Sequence, residues 1–149
     1  MPSQLPSLPN TITDPAIKAF IEKYYAVSND PEVHDDYADL FTPGGEFSMN
    51  DKKAKGTQQI RDLRRAIWAH VPGRSHSPIQ IYTHGDDETD LMILGDVSYS
   101  HHAGHETGAD WAAKMKLEKQ EGEVKVAYYH IIVVSSVLLF LSLMVGWEW

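Results

Sequence analysis

Cysteine is absent from the chain, which excludes a disulfide framework and any thiolate metal site. An excess of positive charge is also missing: 13 Lys and Arg stand against 21 Asp and Glu, for a formal net charge of -8. Binding a phosphate backbone needs clustered cations, so no nucleic-acid partner is expected. The one dense basic group, Arg61, Arg64 and Arg65, sits among helix-forming residues and reads as a solvated helix face. No glycine-rich phosphate cradle, dinucleotide fingerprint or Gly-x-Ser-x-Gly elbow occurs, so no cofactor is expected. Residues 1–13 are rich in Pro and Ser and have neither a basic start nor an apolar run. They read as a short disordered lead and not as a secretory signal.

What is present fits one domain over residues 14–133. Asp14-Pro15 places a capping carboxylate before a proline, and Ile17, Phe20, Ile21 and Tyr24 follow at helical spacing, which predicts a helix from Pro15 to about Ser28. Val33, Tyr37, Leu40 and Phe41 mark a shorter second helix, closed by Thr42-Pro43-Gly44-Gly45. A short strand is expected at Glu46 to Asn50, then a charged turn from Asp51 to Lys55. A third helix, capped by Thr57 and striped with Ile60, Leu63, Ile67 and Trp68, ends at Pro72-Gly73. Beyond it the period changes. Pro78 to His84, Thr89 to His101, Thr107 to Lys119 and Glu123 to Val133 are β-favouring runs separated by turn residues. Helices followed by hairpin-linked strands indicate an α+β domain: a curved antiparallel sheet, covered by three helices, with an apolar pocket between the layers.

Four stretches carry a family resemblance: Tyr37 to Phe47, Gly56 to Ile60, Arg74-Ser75-His76, and Trp111 to Met115 together with Tyr128 and Tyr129. In their order they resemble the nuclear transport factor 2-like superfamily, in particular small SnoaL-like proteins of filamentous fungi. That superfamily includes polyketide cyclases and scytalone dehydratase. The resemblance implies a cone-shaped sheet and a cofactor-free isomerase, cyclase or dehydratase of fungal secondary metabolism. Its substrate would be an apolar polyketide- or terpenoid-like metabolite. The same superfamily holds domains that only bind a ligand or dimerise through the outer face of the sheet, so that reading stays open, as does a homodimer.

By this resemblance His76 is the acid/base residue, since in the dehydratases a histidine entering this strand points into the pocket. The position matching their second pocket histidine falls near Asp110, where a carboxylate can serve as base. The aspartate they carry late in the first helix has no counterpart in Tyr24-Tyr25-Ala26-Val27-Ser28. Imidazole suits proton transfer near neutral pH. Tyr82 and Tyr99 are candidates to polarise a substrate carbonyl, with Trp111 and His130 as further substrate contacts. His101, His102 and His105 straddle a turn at spacings that match no zinc motif, so no metal is expected there.

The tail from residue 134 onward is apolar. With the end of the last strand it forms an uncharged run, 131–147, long enough in combination to suggest membrane contact, although 134–147 alone is short for a bilayer. Three readings compete: a membrane anchor, an extension packing on the domain or a partner, and translation of unspliced intron sequence, because Val134-Ser135 is what a splice-donor site encodes. The expected location is cytoplasmic, with or without a tether.

Overall fold

A computed structural model describes residues 5–70 and 73–134. Helix α1 (Pro15–Ser28) starts as the sequence predicts: the Asp14 side chain accepts the Ala16 N–H at 2.9 Å and Pro15 takes the first helical position. It buries Ile17, Phe20, Ile21, Tyr24 and Tyr25. Helix α2 (His34–Asp39) buries Tyr37 and Ala38, and α3 (Thr57–His70) turns Ile60, Arg64, Ile67 and Trp68 inward. The strands are β1 (Phe41–Met49), β2 (Lys52–Lys55), β3 (Gly73–His84), β4 (Asp87–Ser100), β5 (Glu106–Gln120) and β6 (Glu123–Val134).

They form one open six-stranded sheet in the order β2-β1-β6-β5-β4-β3. The α+β class holds, but the sheet is mixed and not wholly antiparallel as expected. Helix α3 carries the chain from one edge of the sheet to the other, and the β3 to β6 meander then returns until β6 lies parallel to β1. Lys52 to Lys55, expected as a turn, is a strand antiparallel to β1. Thr42 to Gly45 belongs to β1, where the register with β6 shifts between Phe41 and Glu46. Gly45 is needed there, because a Cβ would lie 3.0 Å from the Thr42 carbonyl oxygen and 3.1 Å from that of Val126.

Alternation along the strands sets which side chains face the helices. Leu91, Ile93, Val97 and Tyr99 of β4, Trp111, Ala113, Met115 and Leu117 of β5, and Val124, Val126, Tyr129, Ile131 and Val133 of β6 point inward. On β3 a bulge at Ile79 changes the parity: Arg74, His76 and Pro78 face in before it, and Ile81 faces in after it.

Two boundaries move. The described part of the expected disordered lead packs on the domain: Ile12 is 2% exposed, Leu5 and Leu8 lie against the core, and Thr11 Oγ1 is 2.6 Å from Thr83 Oγ1. At the other end β6 runs to Val134, so 131–134 belong to the sheet, with Ile131 and Val133 in the core and Ile132 and Val134 exposed. The tail readings otherwise fall on residues outside those described. Among the described residues no helix is long and apolar enough to cross a membrane.

Candidate functional site

Where the C-terminal end of α1 meets α3 and the inner face of β3, a cavity of about 40 Å³ is left. Tyr37, Phe47, Met49, Ile67, Trp68, Tyr129 and Ile131 give its apolar wall; Ser28, Arg64, Arg74 and His76 give its polar one. Small-molecule sites usually measure about 300–1,000 Å³ and a water in the liquid takes about 30 Å³. This cavity therefore accommodates one small polar group, not the whole metabolite that the sequence reading placed in an apolar pocket.

Asn29, just past the end of α1, holds His76 by its backbone. Its Oδ1 accepts the His76 N–H at 2.8 Å and its Nδ2 donates to the His76 carbonyl at 3.1 Å, so the side chain acts as one residue of an extra strand beside β3. The imidazole then lies edge-on to Trp111, with ring centroids 5.7 Å apart. Trp111 is itself fixed by a hydrogen bond from Nε1 to the Asp96 carbonyl at 2.7 Å and by stacking on Tyr25 at 5.9 Å. Its indole occupies the space over Gly95, where a Cβ would come within 2.4 Å of the ring. His76 Nδ1 is buried and has no hydrogen-bond partner, a condition that costs free energy unless something meets it.

Arg64, expected on a solvated face, is 4% exposed. Its guanidinium donates to the carbonyls of Val27, Ser28 and Asp30 at 3.2, 3.2 and 2.7 Å, capping α1, and its Nη1 lies 2.7 Å from His34 Nδ1. It also sits over the rings of Tyr37 and Trp68, at 4.8 and 5.3 Å. Arg74 donates to the Ile67 carbonyl at 2.9 Å and lies over Trp68 at 4.8 Å, but its Nε is buried without a partner. Neither guanidinium has a carboxylate within ion-pair distance among the described residues. Burial lowers both arginines, Arg74 to about 10, so it remains a cation at neutral pH. Burial first, then Arg74 and Arg64, push His76 down to about 3 and keep it neutral.

Tyr37 and Tyr129 of the cavity wall each pair with a tyrosine of α1, with Tyr24 Oη 2.7 Å from Tyr37 Oη and Tyr25 Oη 3.3 Å from Tyr129 Oη. Burial raises all four, so they stay protonated.

Of the candidate site residues named from the sequence, His76, Asp110, Tyr82, Tyr99, Trp111 and His130, only His76 lines this cavity. Asp110 does not join it. Trp111 is its neighbour on an unbulged part of β5 and points inward, so Asp110 points outward, into a shallow concavity shared with Asp96 and Val134. Tyr82 also faces out, 45% exposed, because the bulge at Ile79 puts it on the face opposite His76. His130 alternates with inward Tyr129 and Ile131, and its Nε2 lies 3.2 Å from the Asn50 carbonyl oxygen on the outer side. Tyr99 and Trp111 are buried, as supports: Tyr99 lies under Arg74 at 5.9 Å and Trp111 lies against His76.

Arg64, Arg74 and Asn29 carry the site without having been singled out for chemistry. For Arg64 the signal was present. It stands with Ile60, Ile67 and Trp68 at i, i+4, i+7 and i+8 spacing, on the apolar stripe and not opposite it.

No family model matches the chain, and no curated protein does. Solved structures do. Nuclear transport factor 2 of Cryptosporidium parvum superposes with a TM-score of 0.67 at 13% identity, over 88% of this chain and all (100%) of that one. ActVI-ORFA of Streptomyces coelicolor gives 0.65 at 16% identity, over 79% and 94%. A ketosteroid isomerase-like protein of Erwinia carotovora atroseptica gives 0.64 at 16%, over 80% and 95%. The chain has the nuclear transport factor 2-like fold.

Proposed function

We propose that this chain is a cofactor-independent isomerase, cyclase or dehydratase acting by proton transfer at His76. Its substrate would be an enolisable polyketide- or terpenoid-like carbonyl compound of fungal secondary metabolism. The observation that carries this reading is the unpartnered, buried Nδ1 of His76 on a cavity that also receives two guanidinium groups and no carboxylate. Similar folds named for ketosteroid isomerase and ActVI-ORFA support the reaction class.

In this mechanism the substrate carbonyl lies at the mouth of the cavity, on the side of Arg74 and within reach of His76. His76 removes a proton from the adjacent carbon, and the electron pair moves to the carbonyl oxygen, where the Arg74 cation stabilises the forming enolate. Return of that proton to a different carbon completes an isomerisation. Attack of the enolate carbon on a second carbonyl closes a ring, and proton donation to a departing hydroxyl gives loss of water. His76 serves all three as proton carrier, with Arg64 adding to the field.

The test is deletion of the gene in its source organism and complementation. The wild-type gene is expected to restore the lost metabolite, and His76→Gln, checked for folding by circular dichroism, is expected to accumulate its precursor. Full restoration by His76→Gln would sink the catalytic role.

A second reading, a domain that binds or dimerises without catalysis, is favoured by the small cavity and by the outer face of the sheet. Tyr82, Met92, Leu94 and Ile132 lie there on β3, β4 and β6, and are 45%, 45%, 42% and 48% exposed. A solvated sheet face is normally polar, so an apolar one fits a second copy of this chain seated across it. Such a dimer is compatible with either reading.

A further inference from the structure

The positive charge in the cavity exceeds what the described chain offers to offset it. Arg64 and Arg74 come from α3 and β3, and the groups they touch are His34, the rings of Tyr37, Trp68 and Tyr99, and the carbonyls of Val27, Ser28, Asp30 and Ile67, none of them a carboxylate. The Asp30 carboxylate accepts the Glu32 N–H at 2.9 Å and acts on Arg64 only from beyond ion-pair distance, offsetting part of its charge and none of that of Arg74. Buried cations usually gain a carboxylate partner, because carbonyl dipoles and aromatic faces repay only part of the lost hydration. Arg64 is well served by such dipoles. Arg74 is not, and its Nε–H is left over.

We propose that the cavity receives the carboxylate of an acidic ligand, seated between Arg74 and Arg64 beside His76. This rests on taking the cavity as the ligand site and extends it to the substrate class, a keto acid or other carbonyl compound with a free carboxyl group. The volume of about 40 Å³ suits a carboxylate head, with the body of the ligand outside. A carboxylate here accepts the orphaned Arg74 Nε–H and gives both guanidinium groups a counter-charge. It also changes His76. The two arginines contribute to holding the imidazole neutral, and an anion placed among them reverses that contribution, making His76 a stronger base when the acid is bound.

Benzoate and its neutral analogue benzamide separate charge from shape. They would be titrated into the full chain by NMR, following the indole of Trp68 and the ring carbons of His76. Benzoate is expected to bind about tenfold or more tightly than benzamide, as charge-assisted hydrogen bonds are about twice as strong as neutral ones. It is also expected to raise the titration midpoint of His76. Arg74→Met should erase the preference and Arg74→Lys retain part of it; if neither variant folds, the wild-type comparison still decides. Equal binding of the two probes, tighter benzamide, or binding of neither at millimolar concentration would overturn the proposal. Those results leave the His76→Gln complementation untouched, so the carboxylate and the catalytic reading can fail separately.

Discussion

At the scale of single residues, His76 is a base held neutral inside the fold, and this ties stability to pH. The unfolded chain carries an ordinary histidine near 6.5, while the folded one titrates at about 3, lowered first by burial. Between those values the unfolded state binds the extra proton, so the contribution is complete above about pH 6.5 and declines as pH falls toward 3. His34 and His101 are lowered too, with burial the leading cause in each, and act in the same direction. The His76 share is isolated by comparing wild type with His76→Gln in urea from pH 7 to pH 4. Wild type is expected to lose up to about 1.4 kcal/mol per pH unit more than the variant. Parallel pH profiles would show that His76 is not held neutral in the fold.

Residue identity was legible in the sequence where alternation runs unbroken and misleading where it does not. His76 could be picked out because the resembling dehydratases carry a histidine at the entry to this strand, pointing into the pocket. Tyr82 could not be placed, since the bulge at Ile79 inverts the face of everything after it. Asp110 and Trp111 cannot both face the pocket, because neighbours on a regular strand diverge. Arg64 was read by its charge when its spacing already put it on the buried stripe.

At the scale of elements, the end of α1 is the hub of the site. Arg64 from α3 holds its last carbonyls and Asn29 reaches β3, so one helix end joins three elements around His76. Asn29→Ala removes both bonds to His76 and leaves its N–H without that acceptor. It is expected to cost about 1–3 kcal/mol in denaturant unfolding and to speed exchange of the His76 amide hydrogen selectively. An unchanged exchange rate would show that β3 is held there without Asn29. Helix α1 is legible from its start at Pro15 to its end near Ser28 because Asp14-Pro15 and the apolar spacing agree. Strand β2 was missed because Lys52-Lys53-Ala54-Lys55 looks like a charged turn, and only pairing with β1 makes it a strand.

At the scale of the whole molecule, the sheet has a helix-covered face and an open one. If a second copy covers the open face, Leu94→Glu places a charge at its centre and should convert a dimer to a folded monomer in light scattering after size-exclusion chromatography. A wild-type chain that is already monomeric at micromolar concentration would remove the dimer. The class of fold was readable from element order alone, helices before hairpins. Its one parallel pairing was not, because nothing local in β1 or β6 says which strand the other will meet.

That parallel pair also has a consequence for the order of events in synthesis. The β1–β2 ribbon leaves the ribosome early, yet its other neighbour is β6, among the last of the described residues to appear. Hairpins β3–β4 and β4–β5 can close as they emerge, but the edge of β1, with Phe41, Phe47 and Met49 behind it, has to wait. A nascent chain halted before residue 123 is therefore two half-sheets without the strand that joins them, and a ready client for chaperones.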